Sequence, residues 1–553
     1  METLKKQKYL LIAFLSIFLF SCDNKEEEII DPKEPVFLIE PDSVNILVNS
    51  SYQLVVKLDG EIVDNNQIEW YSNSNAVSVS DDGLITGLIA GNEIIDLVTY
   101  ITAKHKTKSY VAKAKVTVSD VYKYKYRIIL KDKGVSDYSV NDPEKFLSQR
   151  AIERRLKRNI PIDESDLPIS SDYIQKIEKV GGTIVARSKW LNSVCVSLDD
   201  VKLVEEYKKL PFVGDVIMVW REGRQGIKNN KYNEEHSSSA VKAISNSNIY
   251  GVAHRNIVQH QGEILHQKGF KGEGIEIAVI DGGFIGVESN PSLSNVKIKG
   301  AKSFIYEKNN PYTYSEHGSW VLSCMGTNMP EMYTGSAPEA AYWLFVTEDT
   351  DTESPVEEDY LVNCMEYADS TGVDLINLSL GYYYYDFPFS SPKFEDMDGK
   401  TMFATRGANK SFEKGMLIVC SAGNHGYWVG TPADSPDVLA VGGIDTNGKI
   451  GAFTAYGITV DGRMKPDVLS LSMSSAVINS DGKTGFKSGT SFASPIFCGL
   501  TACLWQAYPQ LTNRQLLEIL RQSADRSKNP QLPYGWGIPD MEKAMKLAEK
   551  IVN

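Results

Sequence analysis

The chain has 553 residues, of which 42% are hydrophobic and 23% charged, a composition typical of globular proteins. This length suggests roughly three or four domains and supplies enough apolar sequence for a sizeable core. The chain has 58 lysines and arginines against 71 aspartates and glutamates, so its formal net charge is -13. An acidic surface disfavours binding to phosphate backbones, and we therefore expect no nucleic-acid partner.

The N-terminus has the layout of an export signal. Three lysines within the first eight residues precede an apolar run at 9–20, which is too short to span a bilayer. Residues 19–22, Leu-Phe-Ser-Cys, resemble a bacterial lipobox, in which the cysteine becomes the lipid-modified first residue of the mature chain. We therefore predict lipid attachment at Cys22, with an ordinary secretory peptide cut nearby as the alternative.

We assign residues 1–21 to the signal peptide and 22–34 to an acidic tether. The tether resembles the acidic export tag of surface-exposed lipoproteins in some Gram-negative bacteria, and an ordinary solvated spacer is the alternative. The resemblance implies a lipid-anchored protein of the cell envelope, at the surface of the outer membrane. No later segment of the sequence is apolar for long enough to form a membrane-spanning helix.

Residues 35–120 read as an all-β domain. Val44, Ile46 and Val48 alternate with polar residues, which is the pattern of a half-buried strand. The segment 68–91, with Asp-Asp-Gly as a turn, resembles bacterial immunoglobulin-like domains, which are small sandwiches. Such a domain acts as a spacer next to the membrane, or it binds a carbohydrate or a protein.

Residues 121–220 change to a mixed pattern that predicts a small α+β domain. A first helix is predicted with Asp142 as N-cap and Pro143 at its first position. A second helix ends at Gly181-Gly182, and strands at 183–186, 194–198 and 216–219 surround a third helix through 203–207. The polar segment 221–248, with three consecutive serines, is predicted to be an exposed linker.

From residue 249 to 553 apolar runs alternate with helical patterns, which predicts an α/β domain with a doubly wound parallel sheet. The runs lack polar alternation, as expected of strands that are covered on both faces. Reactive groups in such sheets collect where strands end. The predicted strands are 275–280, 341–346, 375–380, 416–422 and 438–441.

Four polar residues of this domain suggest nucleophilic catalysis. Ser491 lies in a Gly-Thr-Ser turn at the start of an apolar helix, where the helix dipole favours developing negative charge. A serine hydroxyl is a poor nucleophile by itself and requires a base, a group that orients the base and donors for the oxyanion. His317, Asp281 and Asn424 are the candidates for those three roles.

Each candidate has an ordinary structural alternative when it is taken alone. Asp281 precedes two glycines and suits a turn, while His317 suits a helix cap. Asn424 suits a β-turn. The four residues in the order Asp, His, Asn, Ser, each beside a glycine, are similar to the subtilisin-like serine proteases, the subtilases.

The resemblance implies an Asp281–His317–Ser491 triad with Asn424 as the oxyanion donor. It further implies that an extended substrate pairs with Ser379, Leu380 and Gly381, and that Ser421, Ala422 and Gly423 form a wall of the main specificity pocket. The α+β domain resembles the inhibitory subtilase propeptide, which covers the cleft with its C-terminal strand. We therefore expect a zymogen that matures by propeptide removal and acts on proteins or peptides.

The sequence departs from the family pattern at three places near these motifs. Gly282 follows the aspartate where a threonine or serine is usual, Trp320 replaces a second histidine, and Phe492 replaces a methionine. None of these changes removes a reacting atom, so they bear on efficiency and pocket shape. The aromatic segment 382–389 either roofs the cleft or packs on the domain.

No cofactor or metal site is predicted. The six cysteines other than Cys22 form no CxxC pair and no His/Cys cluster at zinc spacing, and the sequence leaves any disulfide pairing open. A calcium site cannot be assigned from sequence, and we expect a monomer.

We therefore predict a serine endopeptidase. A non-catalytic surface lipoprotein that uses the protease-like fold as a binding platform is the alternative. A serine esterase of the α/β-hydrolase class would require GxSxG and the order Ser, Asp, His, which the sequence lacks.

Overall fold

The computed structural model describes residues 35–48, 50–88, 97–119, 123–222, 248–386 and 388–553. The chain divides into two compact units, and the boundary along the sequence lies between residues 121 and 122. Within the described ranges, no helix has both the length and the apolar character needed to cross a membrane. The predictions for the signal peptide, Cys22, the tether and nearly all of the linker lie outside the described residues.

The first unit is all-β, as predicted. It contains two three-stranded sheets and one four-stranded sheet, in the orders β1-β4-β5, β3-β8-β7 and β2-β10-β9-β6. Ile46 is buried, and Val44 and Val48 pack half-buried against the same core as Val56 and Ile101, so the predicted alternation is confirmed. The strands are β1 Phe37–Glu40, β2 Ser43–Leu47, β3 Ser51–Gln53, β4 Val55–Leu58, β5 Glu61–Ile62, β6 Ile68–Ser72, β7 Val77–Val79, β8 Leu84–Gly87, β9 Leu97–His105 and β10 Val111–Ser119.

The second unit begins with the predicted α+β domain. Its antiparallel sheet has the order β12-β13-β11-β14, and Ile128, Ile177 and Tyr207 form part of the core between sheet and helices. The elements are β11 Tyr124–Leu130, α1 Gln149–Lys157, α2 Ser171–Val180, β12 Thr183–Ser188, β13 Ser193–Leu198, α3 Leu203–Lys208 and β14 Val213–Arg221.

The first helix of this domain begins later than predicted. Asp142 and Pro143 start only a short 3-10 turn, and the Asp142 side chain makes no capping hydrogen bond there. The helix α1 starts after Ser148, whose hydroxyl accepts a hydrogen bond from the backbone N–H of Ala151. A capped start is preferred because it satisfies a backbone donor that would otherwise lack a partner.

A seven-stranded parallel sheet forms the centre of the second unit, in the order β16-β19-β15-β20-β21-β22-β25. The five predicted strands correspond to β15, β19, β20, β21 and β22, while β16 and β25 at the two edges were not predicted. Three separate two-stranded sheets, β17-β18, β23-β24 and β26-β27, accompany this sheet. The strands of the seven-stranded sheet and of these three are β15 Glu276–Asp281, β16 Lys297–Ser303, β17 Asn328–Met329, β18 Tyr333–Thr334, β19 Ala341–Val346, β20 Leu375–Leu378, β21 Leu417–Ser421, β22 Val438–Ile444, β23 Gly457–Ile458, β24 Met464–Lys465, β25 Val468–Leu471, β26 Ser475–Ile478 and β27 Thr484–Lys487.

Helices cover both faces of this sheet, which confirms the doubly wound fold. After β16 at one edge, the chain moves in a single direction across the sheet through β19, β20, β21, β22 and β25. The helix α6, between β16 and β19, packs with α9 on one face, and α7 packs with α8 on the other. The helices are α4 His254–Val258, α5 Glu263–Gln267, α6 His317–Gly326, α7 Val356–Thr371, α8 Phe403–Glu413, α9 Thr490–Ala507, α10 Asn513–Ser523 and α11 Met541–Val552.

The α+β domain packs on the face that carries α7, and buried ion pairs join the two. Arg154 and Arg155 of α1 both bind Asp369 of α7, with 2.8 Å between Arg155 Nη2 and Asp369 Oδ2. Arg155 also pairs with Asp166 at 2.9 Å, and all four side chains are buried. Because an uncompensated buried charge is costly, these pairs fix how the domain sits on α7.

A second contact on α7 uses a buried carboxylate that accepts hydrogen bonds from a hydroxyl and two backbone amides. Glu366 accepts a hydrogen bond from the Ser188 hydroxyl at 2.6 Å. It also accepts from the backbone amides of Lys189 and Trp190, each at 3.0 Å. The turn after β12 is thereby held against the middle of α7.

Candidate active site

Asp281 is the last residue of β15 and lies at the carboxyl end of the sheet, as predicted. Its side chain is buried, with 1% of its surface exposed. The backbone N–H of Gly282 donates a hydrogen bond to Asp281 Oδ1 at 2.7 Å. A backbone donor thus helps to fix the carboxylate, although position 282 offers no hydroxyl.

His317 is the first residue of α6 and faces Asp281. Its Nδ1 lies 2.8 Å from Oδ1 and 2.9 Å from Oδ2 of the aspartate. A carboxylate only accepts hydrogen bonds, so Nδ1 carries the proton and Nε2 is the basic nitrogen of the neutral ring. The imidazole is therefore held in the tautomer that general-base catalysis requires.

Two glycines allow this close approach of the β15 loop and α6. The backbone N–H of Gly318 donates to the carbonyl of Gly283 at 3.1 Å. A Cβ at Gly318 would lie 2.5 Å from that carbonyl oxygen, and one at Gly283 would lie 2.3 Å from the Thr313 carbonyl oxygen. No larger residue fits at either position without moving His317 away from Asp281.

Ser491 is the second residue of the 18-residue helix α9. Its carbonyl would ordinarily accept from the backbone N–H four residues later, but that residue is Pro495, which has none. The hydroxyl of Ser379 donates to this carbonyl instead, at 2.7 Å. The turn that carries Ser491 is therefore tied to the segment that follows β20.

Asn424 follows β21 and faces the same turn. Its side-chain oxygen accepts hydrogen bonds from the backbone N–H and the hydroxyl of Thr490, both at 2.8 Å. Because the amide oxygen faces Thr490, the NH2 group of the same amide points away from Thr490. Asn424 and Ser491 both line the same cleft, so this arrangement suits the amide as a donor toward a group bound there.

An apolar cluster packs α6 against α9 next to the imidazole. Phe492 and Trp320 belong to this cluster together with Ile496 and Leu471. The ring centroids of Phe492 and Trp320 lie 6.0 and 6.2 Å from that of His317. Trp320 and Phe492, which depart from the family pattern, therefore form part of the apolar surroundings of His317. Phe492, the residue that follows Ser491, lies next to the imidazole.

One cleft brings the predicted substrate residues together with Ser491 and Asn424. All six residues of the two predicted substrate segments line it. Tyr383 of the aromatic segment also lines the cleft, whereas Tyr382 and Tyr385 are buried in the domain, so the segment serves both predicted roles. Phe387 lies outside the described residues.

Other lining residues were not found by sequence reasoning. Thr490, which orients Asn424, is one of them. The only signal for it in the sequence was its position directly before Ser491. Glu348 and Glu353 line the cleft as well, and they lie within 4.8 Å of each other and of Glu357. Carboxylates with this spacing could hold a cation. Glu348 and Glu353 follow the predicted strand β19, and reactive groups collect where such strands end. Their position after this strand could have indicated a role at the cleft.

The cysteines of the described residues are all free. Cys195, Cys324, Cys364, Cys420, Cys498 and Cys503 are buried and unbridged. Burial raises the pKa of the Cys420 thiol to about 12, so this cysteine is an inert core residue.

Comparison with known families agrees with this geometry. Residues 272–537 match the subtilase family, residues 125–237 match the peptidase S8 propeptide domain of Bacteroidota, and residues 36–119 match the bacterial Ig-like domain of group 2. The chain therefore contains a subtilase domain, preceded by the propeptide domain of peptidase family S8.

Individual relatives are proteases. Subtilisin NAT of Bacillus subtilis subsp. natto is 27% identical over 375 residues, which cover 66% of this chain and 84% of the relative. Subtilisin of Bacillus pumilus is 28% identical over 295 residues, covering 52% and 97%. Serine protease AprX of Bacillus subtilis (strain 168) is 25% identical over 330 residues, covering 53% and 70%.

The protein is a subtilisin-like serine endopeptidase that carries its propeptide domain and a bacterial immunoglobulin-like domain. The alternative of a non-catalytic binding platform is not favoured, because it would leave the Asp281–His317 pair without a purpose.

Proposed function

We propose that Ser491 is the nucleophile of this endopeptidase, with His317 as its general base and Asp281 as the group that orients the base. The observation that carries the proposal is the pair of hydrogen bonds between His317 Nδ1 and Asp281 beside a cleft lined by Ser491. His317 Nε2 takes the proton as Ser491 Oγ attacks the scissile carbonyl carbon.

The same proton then completes the first half of the reaction. His317 gives it to the leaving amine as the peptide C–N bond breaks, and the new ester bond joins the acyl group to Ser491 Oγ. Water, activated by the same imidazole, attacks the ester, releases the carboxylic acid and returns the proton to Ser491. Asp281 stabilises the imidazolium in each half.

The oxyanion of each tetrahedral intermediate is bound by two donors, the side-chain amide of Asn424 and the backbone N–H of Ser491. The two hydrogen bonds from Thr490 to the Asn424 oxygen support this role, because they fix the amide before substrate binds. Fixed donors need no reorientation when negative charge develops.

Substrate binds in an extended conformation along the cleft. Backbone groups of Ser379–Gly381 pair with the peptide as an added strand, and Ser421–Gly423 flank the side chain before the scissile bond. Small residues at these positions leave room for that side chain.

Maturation removes the α+β domain by cleavage in the linker at 221–248, and Ser491→Ala expressed beside the parent tests this. We expect the parent chain to yield a shortened enzyme that cleaves casein, and the variant to keep its full mass and remain inactive. An identical mass pattern in both, with no casein cleavage by either, would contradict both autoprocessing and proteolysis.

The enzyme acts as a monomer that is lipid-anchored at Cys22 on the outer surface of the outer membrane. The lipobox-like residues 19–22 and the acidic residues after them support this location. Cys22→Ala should move the protein from the membrane fraction to the soluble fraction. Protease added to intact cells should digest the parent, and protection of the parent would contradict surface exposure.

A further inference from the structure

Two carboxylates line the cleft that contains Ser491. Glu348 lies two residues beyond the end of β19, and Glu353 lies in the loop that leads to α7. Glu348 is buried and Glu353 is half-buried. Their carboxylates lie within 4.8 Å of one another and of Glu357 in the first turn of α7. The cleft therefore has an acidic wall next to its small-residue walls.

Hydroxyl and amide donors bind two of these carboxylates. Glu348 accepts hydrogen bonds from the Tyr382 hydroxyl at 2.7 Å and the Thr347 hydroxyl at 3.2 Å. Glu357 accepts from the backbone amides of Asp349 at 2.7 Å and Ser354 at 3.0 Å. Hydroxyl and amide donors orient a carboxylate without neutralising its negative charge. Burial, followed by the charge of Glu348, raises the pKa of Tyr382 well above its usual range.

Aromatic rings contribute a second wall. The rings of Tyr383 and His425 stack with centroids 3.8 Å apart, and both residues line the cleft. Burial lowers the pKa of His425, so its ring is neutral at neutral pH and adds no positive charge beside the carboxylates. Aromatic faces bind both the alkyl stem and the cation of lysine and arginine.

The character of the cleft decides which side chain it favours. An apolar side chain would displace water from Glu348 and Glu353 and offer their side chains no polar contact in its place, which is costly. A lysine or arginine side chain would replace that water with charge-assisted hydrogen bonds. Gly430 and Ala433, which also line the cleft, leave space for a long side chain.

We propose that this endopeptidase selects substrates with lysine or arginine on the N-terminal side of the scissile bond, and that Glu348 and Glu353 bind the cation of that residue. The proposal rests on the assignment of Ser491 as the nucleophile, which sets where the scissile bond lies.

Cleavage of matched peptide anilides by the matured enzyme, obtained by expressing the full chain, tests the proposal. The peptides differ only in the last residue, which is lysine, arginine, leucine or phenylalanine. We expect kcat/KM to be about 10- to 100-fold higher for the basic peptides, the range of a buried charge-assisted hydrogen bond. Glu353→Gln and Glu348→Gln should each remove most of that preference, read as the ratio of kcat/KM for the lysine peptide to kcat/KM for the leucine peptide.

Glu395→Gln is the matched control, since Glu395 is exposed and lies outside the cleft lining. It should keep the preference of the parent. Glutamine at 348 retains an oxygen for the Tyr382 hydroxyl, and Glu353→Gln carries the test if the Glu348 variant does not fold.

Four results would overturn the proposal. A parent enzyme that prefers leucine or phenylalanine, or variants that keep the full basic preference, would contradict it while leaving the endopeptidase assignment intact. A preference that is unchanged in both variants, together with activity that is lost in EDTA and restored by calcium, would assign the carboxylates to a metal ion. Failure of the parent to cleave any peptide would refute the nucleophile assignment and this proposal with it.

Discussion

Replacement of Asn424 by alanine probes the oxyanion site most sharply. The amide oxygen of Asn424 accepts two hydrogen bonds from Thr490, each 2.8 Å long, so the amide is oriented before substrate binds. Its loss removes one of two proposed donors to the oxyanion. A preorganised donor of this kind stabilises the transition state by about 2.7–4 kcal/mol, which corresponds to a loss on the order of 10²–10³ in kcat. Because the donor acts on charge that develops during reaction, KM should change little.

Steady-state cleavage of a peptide anilide measures the two constants separately. Thr490→Val is the matched control, since it removes the hydroxyl donor to Asn424 but keeps the backbone donor. Losing one neutral hydrogen bond should cost roughly 1 kcal/mol, or about fivefold in kcat. Urea unfolding of both variants in a Ser491→Ala background checks that the fold is retained. A folded Asn424→Ala enzyme with the kcat of the parent would refute the role of this amide.

Three further predictions concern the fold around the site. Gly318→Ala should abolish activity, measured with the same anilide, because the new Cβ would lie 2.5 Å from the Gly283 carbonyl oxygen and displace His317. Asp369→Asn should lower the urea midpoint of the Ser491→Ala chain by the equivalent of about 3–5 kcal/mol, since it leaves buried Arg154 without its paired carboxylate and Arg155 with that of Asp166 alone. Burial lowers the pKa of His260 to about 4, so the folded chain resists its protonation and stability should fall as pH drops from about 6.5 toward 4. Between pH 7 and pH 5, the free energy of unfolding that depends on His260 should fall by about 2 kcal/mol, measured by urea unfolding at both pH values.

Each of these predictions has a control. Gly457→Ala should be harmless, because a Cβ there makes only ordinary contacts at 3.6 Å. Asp172→Asn removes an exposed i,i+4 pair and should change the midpoint little. His260→Gln should reduce the pH dependence. Active Gly318→Ala enzyme, equal midpoints for the two aspartate variants, or an unchanged pH dependence in His260→Gln would contradict the respective reasoning.

The buried Asp369 pair also predicts a second pH effect with a known sign. Burial alone would raise the pKa of the Asp369 carboxyl, but Arg155 and Arg154 outweigh burial and hold it below its usual value of about 3.9. A group whose pKa is depressed by folding contributes stability above its unfolded value and loses it as pH falls through the folded value. The ion pairs of Asp369 with Arg154 and Arg155 should therefore weaken only in strong acid, below about pH 4.

The central strands and the site motifs were predictable because their signals are local in sequence. The run before Asp281 lacks polar residues since it is covered on both faces, and the glycine beside His317 marks a close approach of backbone. The edge strand β16 escaped prediction because its burial is only partial and it carries lysines at 297, 299 and 302. Short apolar runs such as β25 are equally consistent with helix or loop.

Contacts between distant residues were not predictable from the sequence. The tie from the Ser379 hydroxyl to the Ser491 carbonyl spans 112 positions, and nothing near either residue announces it. The position of α1 against Asp369 depends in the same way on a tertiary partner. Ser148 could be recognised as a cap only once the start of α1 was known, because Asp142 followed by Pro143 offered an equally good local signal.

Labelling with a fluorophosphonate tests the central claim most directly, because this reagent modifies only a serine whose hydroxyl is activated. We expect mass spectrometry of the digested parent enzyme to find one modified peptide, with the label on Ser491, and we expect His317→Ala to prevent the modification. Labelling of a different serine, or equal labelling of the parent and the His317→Ala variant, would contradict activation of Ser491 by the Asp281–His317 pair.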